Sequence, residues 1–435
     1  MNTQLQTIPR LLVVSTNVIR KGGSNGRLLA ELLGSWPSNK LAQFYTYNEL
    51  PEENLCSTYY RVTDKDALQS FLTGKKVGNE VFPKEIEKKK VGAITKHGVQ
   101  PKKNSLTYLL RDIVWNSNRW LSEDFWMWCD RFRPEAVLIL AGASSYPHNT
   151  ARKIADRYEI PLIILNSENY YLKDYNYLKG RGWDFIYPLY KWECDRGFRR
   201  LMKRSTEEVY INDKLSNDYN EAFGRPGVVI HQGSSLSRMP EVDNETPIFS
   251  YAGNLGIDRH KALIEIAMAL QKISKTLKLN VYGRALSDEV EHALQGCPGI
   301  DFHGMVPYEK VLQVMKESDF MVHAESFEPF WIKDLSTAFS TKIADVLRSG
   351  KCLVLYAAPS FACTQYVLNN DCGCVITSPD LLDNKLREII ENKPLRKHYV
   401  ANAILSAERD MDSKKNSEYF KQLVVEIIKN ENGKI

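Results

Sequence analysis

The chain alternates short apolar runs with stretches in which apolar residues recur every three or four positions, the pattern of strands feeding helices. Leu11–Ser15 is an apolar run of buried-strand length, and the loop Gly22-Gly-Ser-Asn-Gly26 follows it. A helical pattern opens near Arg27, with Leu28, Leu29, Leu32 and Leu33 on one side. Strand, glycine loop and helix make the opening unit of a parallel sheet. Further strands are expected at Gln43–Tyr47, Ala136–Ala141 and Pro161–Leu165. Between the last two, Ala151, Ile154, Ala155 and Tyr158 have helical spacing.

The turn-rich stretch from Gly233 to Pro247 has the composition of a linker, and beyond it the same alternation restarts. A strand at Ile248–Ala252 leads through Gly253-Asn-Leu-Gly256 into a helix that Asp258 is placed to cap. Leu263, Ile266, Leu270 and Ile273 form its buried stripe. Strands are expected at Leu279–Tyr282, Asp301–His303, Phe320–His323, Cys352–Tyr356 and Cys374–Thr377. The pattern therefore predicts two doubly wound α/β domains, at 1–233 and 248–412, joined by a linker at 234–247. A final helix from residue 413, with Tyr419, Phe420, Leu423, Val424 and Ile427 as its stripe, is expected within 413–435 and to pack back on the first domain. Two such domains leave a cleft between their strand C-termini, where open α/β sheets bind ligands.

Length agrees with this division, since 435 residues exceed one compact core. A chain 43% apolar and 26% charged is of ordinary globular composition, and a net charge of +5 gives no reason to expect nucleic acid. No apolar run approaches the ~20 residues of a membrane span. The N-terminal residues lack a signal-peptide pattern. Eight scattered cysteines, without the second close pair of a zinc site, read as reduced thiols of a cytoplasmic protein.

Three pieces of the second half carry chemistry. In Ala252-Gly-Asn254-Leu-Gly256, the glycines Gly253 and Gly256 let backbone approach a ligand, and Arg259 and Lys261 just beyond supply cations for phosphate. In Ser340-Thr341-Lys342-Ile-Ala-Asp345, Ser340 is a good N-cap. Lys342 at a helix N-terminus makes an anion site, and Asp345 one turn on is placed to accept from a ribose diol. In His323-Ala-Glu325-Ser-Phe-Glu328, Glu325 follows a strand end, where a carboxylate bonds sugar hydroxyls or balances developing charge. Asp64-Lys-Asp66 and Asp410-Met-Asp412 read as solvated residues near helix ends. His323-Ala-Glu325 lacks the Pro-Cys-x-x-Cys of a zinc deaminase.

In order, YAGNLGIDRHKALIEIA (251–267), LNVYG (279–283), IDFHGMVPYEKV (300–311), SDFMVHAES (318–326) and STKIADVLRSGK (340–351) resemble the donor domain of GT-B glycosyltransferases. The resemblance is to the retaining family 4 group (glycosyl transferases group 1) of bacterial polysaccharide assembly, over roughly residues 247–360. It implies a GT-B fold and transfer of a sugar from a nucleotide-sugar to a saccharide or lipid-linked glycan, with retention and with neither metal nor cofactor. It places Gly253 and Gly256 along the donor pyrophosphate and Arg259 where the family usually has a phosphate-binding lysine. Lys342 also faces the phosphates, Asp345 takes the place of the ribose-binding glutamate, and His303, Gly304 and Met305 border the base. Asn254 replaces the family's usual arginine, and the usual pair of glutamates seven residues apart is absent.

On the acceptor side, Gly22, Gly23 and Ser24 are expected at the cleft, and His148 and Glu168 follow two strand ends. Glu49, about 20 residues beyond the glycine loop, keeps a dinucleotide-binding oxidoreductase open as an alternative. A nucleotide-sugar epimerase of the same fold and a non-catalytic binding module are also open. From Lys75 to Lys103 the chain has nine lysines against three glutamates. After it come the stripe Leu106, Leu109, Leu110, Ile113, Val114 and the tryptophans Trp115, Trp120, Trp126 and Trp128. A basic run beside an aromatic amphipathic stretch suggests peripheral attachment to an anionic membrane surface at the cytoplasmic face.

Overall fold

A computed structural model of the chain describes residues 8–20, 24–51, 55–83 and 104–433. It divides into two compact units, Met1–Ile230 with Lys414–Ile435, and His231–Ser413.

The first unit is built on the strands β1 (Leu11–Ser15), β2 (Leu41–Tyr45), β3 (Thr58–Arg61), β4 (Asn79–Val81), β5 (Ala136–Leu140), β6 (Leu162–Asn166), β7 (Glu207–Tyr210) and β8 (Val228–Val229), in the order β4-β3-β2-β1-β5-β6-β7-β8. Only β4 runs antiparallel to its neighbour. Every residue of β1, β2, β5 and β6 is buried, as parallel strands between helix layers must be. The strands that apolar pattern alone missed are β3, β4 and β7, which carry polar residues, and the two-residue β8. β7 begins Glu207-Glu208, and the buried Glu208 accepts from Ser205 Oγ at 2.5 Å and lies 3.4 Å from Arg225.

Three of the four tryptophans expected at a surface belong to this core. Trp120 stacks on Phe44 (centroids 5.2 Å apart), Trp115 stacks on Tyr146 (4.5 Å), and the buried Trp128 donates to Thr58 Oγ1 at 2.8 Å. Trp126 is half-buried beneath the Arg157 guanidinium. On the helix Ser105–Asn116, Leu109 is buried while Leu110 and Ile113 are exposed. Of the basic run beside it, 84–103 lie outside the described residues. The Asp-x-Asp strings expected in solvent are structural: Asp64 accepts from Arg111 and Trp115, Asp66 closes a capping box with Thr63, Asp410 accepts from Tyr366, and Asp412 accepts from Arg348. The helix Ser413–Asn432 meets the first unit, with Phe420 5.8 Å from Trp36 and Ser417 Oγ accepting from the Ser35 amide at 2.7 Å.

The second unit holds β9 (Phe249–Ala252), β10 (Leu279–Tyr282), β11 (Ile300–Gly304), β12 (Phe320–Ala324), β13 (Cys352–Tyr356) and β14 (Cys374–Ile376), all parallel, in the order β11-β10-β9-β12-β13-β14. This is the strand order 3-2-1-4-5-6 of a Rossmann sheet, whose switch point falls between its first and fourth strands, here β9 and β12. The stretch 234–247 is strapped to this unit, with the Met239 amide donating to Ser349 O and the Asn244 amide to Asp319. All eight cysteines are buried and unbridged.

Candidate active site

At the C-terminal end of β9 the backbone turns sharply. Asn254 Oδ1 accepts from the Gly256 amide at 2.9 Å, and Tyr251 donates its hydroxyl to Asn254 O at 2.7 Å. Asn254 thus spends its side chain on the turn. A Cβ on Gly283, at the end of β10, would lie 2.2 Å from Gly253 O, so these two turns can approach only through glycine. Ile257 and Asp258 then follow with φ of 64° and 53°. Two successive non-glycine residues in the left-handed region, one of them β-branched, are strained, and such strain gathers at functional sites.

The helix Arg259–Ile273 starts immediately after. Asp258 stands at its N-cap position but makes no side-chain cap, contrary to the capping expected from sequence. Its left-handed backbone turns the carboxylate elsewhere, and it accepts from Trp331 Nε1 at 2.9 Å.

Arg259, the first residue of that helix, reaches across the switch point to Glu325, the first residue after β12. Its Nε and Nη2 donate to the two carboxylate oxygens at 2.8 and 2.9 Å. Both side chains are largely buried, at 14% and 5% exposure. His323 Nε2 lies 3.0 Å from Glu325 Oε1, and the Glu325 amide donates to Tyr356 O, tying the residue to β13. Burial alone raises the pKa of a carboxyl. Here the hydrogen bond from His323 and the Arg259 charge outweigh it and hold Glu325 down at about 2. Burial also lowers the pKa of His323, so at neutral pH a neutral imidazole donates from Nε2 to the carboxylate. Cys363 lies against the pair, and burial and the Glu325 charge push its thiol up to about 12, which keeps it from acting as a nucleophile.

Arg259 and Glu325, expected as separate phosphate and sugar contacts, are therefore partners. Lys261 is exposed and bonds Glu328 at 3.0 Å. Lys342 stands in the first turn of the helix Thr341–Ser349, exposed, near enough to His323 for its charge to lower the imidazole pKa. Ser340 caps that helix by accepting from the Lys342 amide at 3.4 Å, Thr341 begins it, and Gly350 closes it at φ 72°. Asp345 is buried one turn in, and its Oδ1 accepts from Ser234 Oγ at 2.6 Å. Ser234 carried no signal in the sequence, since its partner lies 111 residues away.

On the other side of β9, Tyr282 ends β10 and His303 lies near the end of β11. Their rings stack with centroids 4.4 Å apart and planes within 8°, and His303 Nε2 is fixed by Asn280 Oδ1 at 3.0 Å. Gly304 follows at φ 68° and Met305 is exposed. Tyr282 was missed in the sequence because it reads as the last residue of a strand.

In the first unit, Gly22 and Gly23 lie outside the described residues, and Ser24 begins the helix Ser24–Leu32. Glu168 is exposed just beyond β6. His148 does not face a ligand site. It is fully buried in the helix Ser145–Tyr158, lies edge-on to Phe198 and Tyr171, and bonds Tyr171 Oη at 3.0 Å, and burial lowers its pKa to about 3. Among the described residues no group of three or more His, Cys, Asp or Glu is placed to hold a metal, and no helix is long and apolar enough to cross a membrane.

No protein-family model matches the chain, and no curated protein matches it by sequence. Solved structures do match it along almost its whole length. WaaG, a glycosyltransferase involved in lipopolysaccharide biosynthesis, is 13% identical over 95% of this chain and 99% of its own, with a TM-score of 0.55. Anabaena HepE in complex with UDP and glucose is 12% identical over 96% and 99%, with a TM-score of 0.61. Sucrose-phosphate synthase from Thermosynechococcus elongatus is 10% identical over 97% and 99%, also with a TM-score of 0.61. What the chain shares with them is the path of its backbone: it has the GT-B fold, with two Rossmann-like units in one polypeptide.

Proposed function

We propose that this chain transfers a glycosyl group from a nucleoside-diphosphate sugar to a saccharide or lipid-linked glycan acceptor, with retention and without a metal. The observation that carries the reading is the cationic end of the second sheet. Arg259 is locked to a buried carboxylate at the switch point, and Lys342 is exposed on a capped helix N-terminus. That is where a Rossmann sheet receives a nucleotide. HepE, which shares the fold, is solved with UDP and glucose.

In this reading the stacked Tyr282–His303 pair is the platform for the base. Asp345, buried and held by Ser234, is the carboxylate proposed for the ribose hydroxyls. Gly253, Asn254 and Gly256 bring backbone to the diphosphate. The departing nucleoside diphosphate gains negative charge, and Lys342, the helix N-terminus and the Arg259 guanidinium stabilise it there. Glu325 holds Arg259 in one orientation and touches the sugar with what its carboxylate has left. Glu168 on the first unit is the acceptor-side candidate.

A thermal-shift screen against UDP, GDP, ADP, CMP and dTDP and their sugars, with and without chelator, tests the donor site. Acceptor-dependent release of nucleotide tests transfer. A shift by one nucleotide that survives chelation is the expected result, and no shift with any of them would remove the reading. The second reading is a donor-binding module without turnover. Neutralisation of Arg259 by Glu325 favours it, and even slow donor hydrolysis excludes it.

A further inference from the structure

The helix Tyr187–Arg204 presents an outward stripe of which the packing of the first unit uses only Arg199, whose guanidinium lies 5.7 Å from the Phe223 ring centre. Leu189, Trp192, Arg196, Arg199 and Lys203 follow one another at spacings of three and four, so they line one face of the helix. The start of the stripe is apolar. Trp183, Phe185, Leu189 and Trp192 are 51, 77, 54 and 56% exposed, and the Trp183 and Phe185 rings lie 5.7 Å apart. Single exposed apolar residues need no explanation, but four large ones within ten positions, two of them in ring contact, call for one. The far end is basic, with Arg199, Arg200 and Lys203 exposed, and the Arg196 guanidinium sits 5.0 Å over the Trp192 ring between the two ends. From 173 to 204 there are nine Lys and Arg against four Asp and Glu. Two of the four acids are paired locally, Asp195 with Lys191 and Glu193 with Arg196.

Cations in the last turns of a helix complement its dipole and need no ligand for that. The exposed aromatics gain nothing from the dipole. An apolar tip that leads into a row of cations on one helix face has the chemistry of an anionic bilayer surface, where indole and phenyl groups enter the headgroup boundary and Arg and Lys reach the phosphates. A polynucleotide would match the cations and rings but leave Leu189 without a partner. We infer that this stripe, with Trp183 and Phe185 at its tip, docks the chain on an anionic lipid membrane. Attachment thus moves away from the Trp115–Trp128 region, whose rings are mostly core. The surface rests on the proposed function only for its purpose, the presentation of a lipid-linked acceptor.

The test is sedimentation of the full chain with phosphatidylcholine vesicles, with and without phosphatidylglycerol, at low and high salt. Tryptophan fluorescence is followed in parallel. The wild-type chain is expected to pellet only with the anionic vesicles, less at high salt, with a blue shift as Trp183 and Trp192 leave water. Trp183→Ser/Phe185→Ser/Trp192→Ser and, separately, Arg199→Gln/Arg200→Gln/Lys203→Gln are each expected to weaken binding by about tenfold or more while melting as wild type does. Wild-type chain left in the supernatant, or both variants pelleting like wild type, would overturn the inference. So would binding of single-stranded RNA in preference to the vesicles. A chain that pellets as expected but shows no thermal shift with any nucleotide supports the docking surface and removes the transferase reading.

Discussion

Arg259 and Glu325 stand 66 residues apart in sequence and meet through two hydrogen bonds of 2.8 and 2.9 Å across the switch point of the second sheet. β9 delivers one and β12 the other, and these strands are neighbours only because the chain crosses over between them. A bidentate pair of this kind fixes the orientation of both groups as well as their separation.

Removing one member of a buried pair leaves the other charge uncompensated. Arg259→Ala is expected to destabilise the second unit by about 3–5 kcal/mol, read as a lower denaturant midpoint. Glu325→Gln keeps the shape and removes the charge, so it is expected to fold and to lose turnover on the order of 100-fold. Full activity in folded Glu325→Gln would remove the pair from the chemistry.

Lys342 is exposed and carries no part of the core, so Lys342→Ala should leave stability within about 0.5 kcal/mol of wild type. Its loss from beside the leaving diphosphate is expected to cost turnover on the order of 100-fold. Steady-state kinetics with the nucleotide-sugar found in the screen decides it. A Lys342→Ala enzyme with wild-type kcat would refute the assignment.

His303→Ala removes half of the stacked pair with Tyr282. Stacking of a base on an aromatic side chain is worth about 1–3 kcal/mol, so nucleotide affinity measured by calorimetry should fall by at least the lower figure while melting of the free chain changes little. Unchanged affinity would place the base elsewhere.

Ser234→Ala withdraws the hydroxyl that holds Asp345 at 2.6 Å. A hydrogen bond to a charged group contributes about 1.5–3 kcal/mol, and nucleotide affinity should fall with stability, because Asp345 loses its fixed position. Ser234→Thr, which keeps the hydroxyl, is expected to recover more of the affinity than Ser234→Ala does. Equal affinity in all three proteins would separate Asp345 from the nucleotide.

The first unit is expected to be acid-sensitive through His148. Burial keeps its imidazole neutral in the folded chain down to about 3, whereas the unfolded chain takes up the proton below ~6.5. The unfolded state therefore binds more protons between these values, and stability falls as pH falls through that window. Between pH 7 and 5 the loss due to this residue is about 2 kcal/mol. Denaturant midpoints for wild type and His148→Gln at the two pH values check it, and an identical acid slope in both would show that another group is responsible.

Local pattern was enough for the longer apolar strands of both sheets, and it missed the two-residue β8. β1, β10 and β13 fall on the residues where the sequence pattern places them; β1 and β13 are buried along their whole length, while β10 alternates buried Leu279 and Val281 with half-buried Asn280 and Tyr282. β7 was hidden because its buried Glu208 is satisfied by Arg225, a partner from beyond the strand. The site was legible as a set of residues at strand ends and helix starts, and Ser340 and Gly350 stand at the helix positions their types favour, whereas Lys342 lies in a first turn, where the dipole disfavours a cation.

What tertiary structure decided is which of these residues spend their chemistry on one another. Arg259 and Glu325 each read as a ligand contact until the crossover placed them 2.8 Å apart. His148 followed a strand end and was drawn into the core, and the indoles of Trp115, Trp120 and Trp128 were buried while those of Trp183 and Trp192 were not. Periodicity reports which residues share a face of one element, and it is silent on what the neighbouring element brings to that face. The charge state of a buried group depends on that neighbour, so the roles at this site were fixed by contacts between segments that no local window of the chain contains.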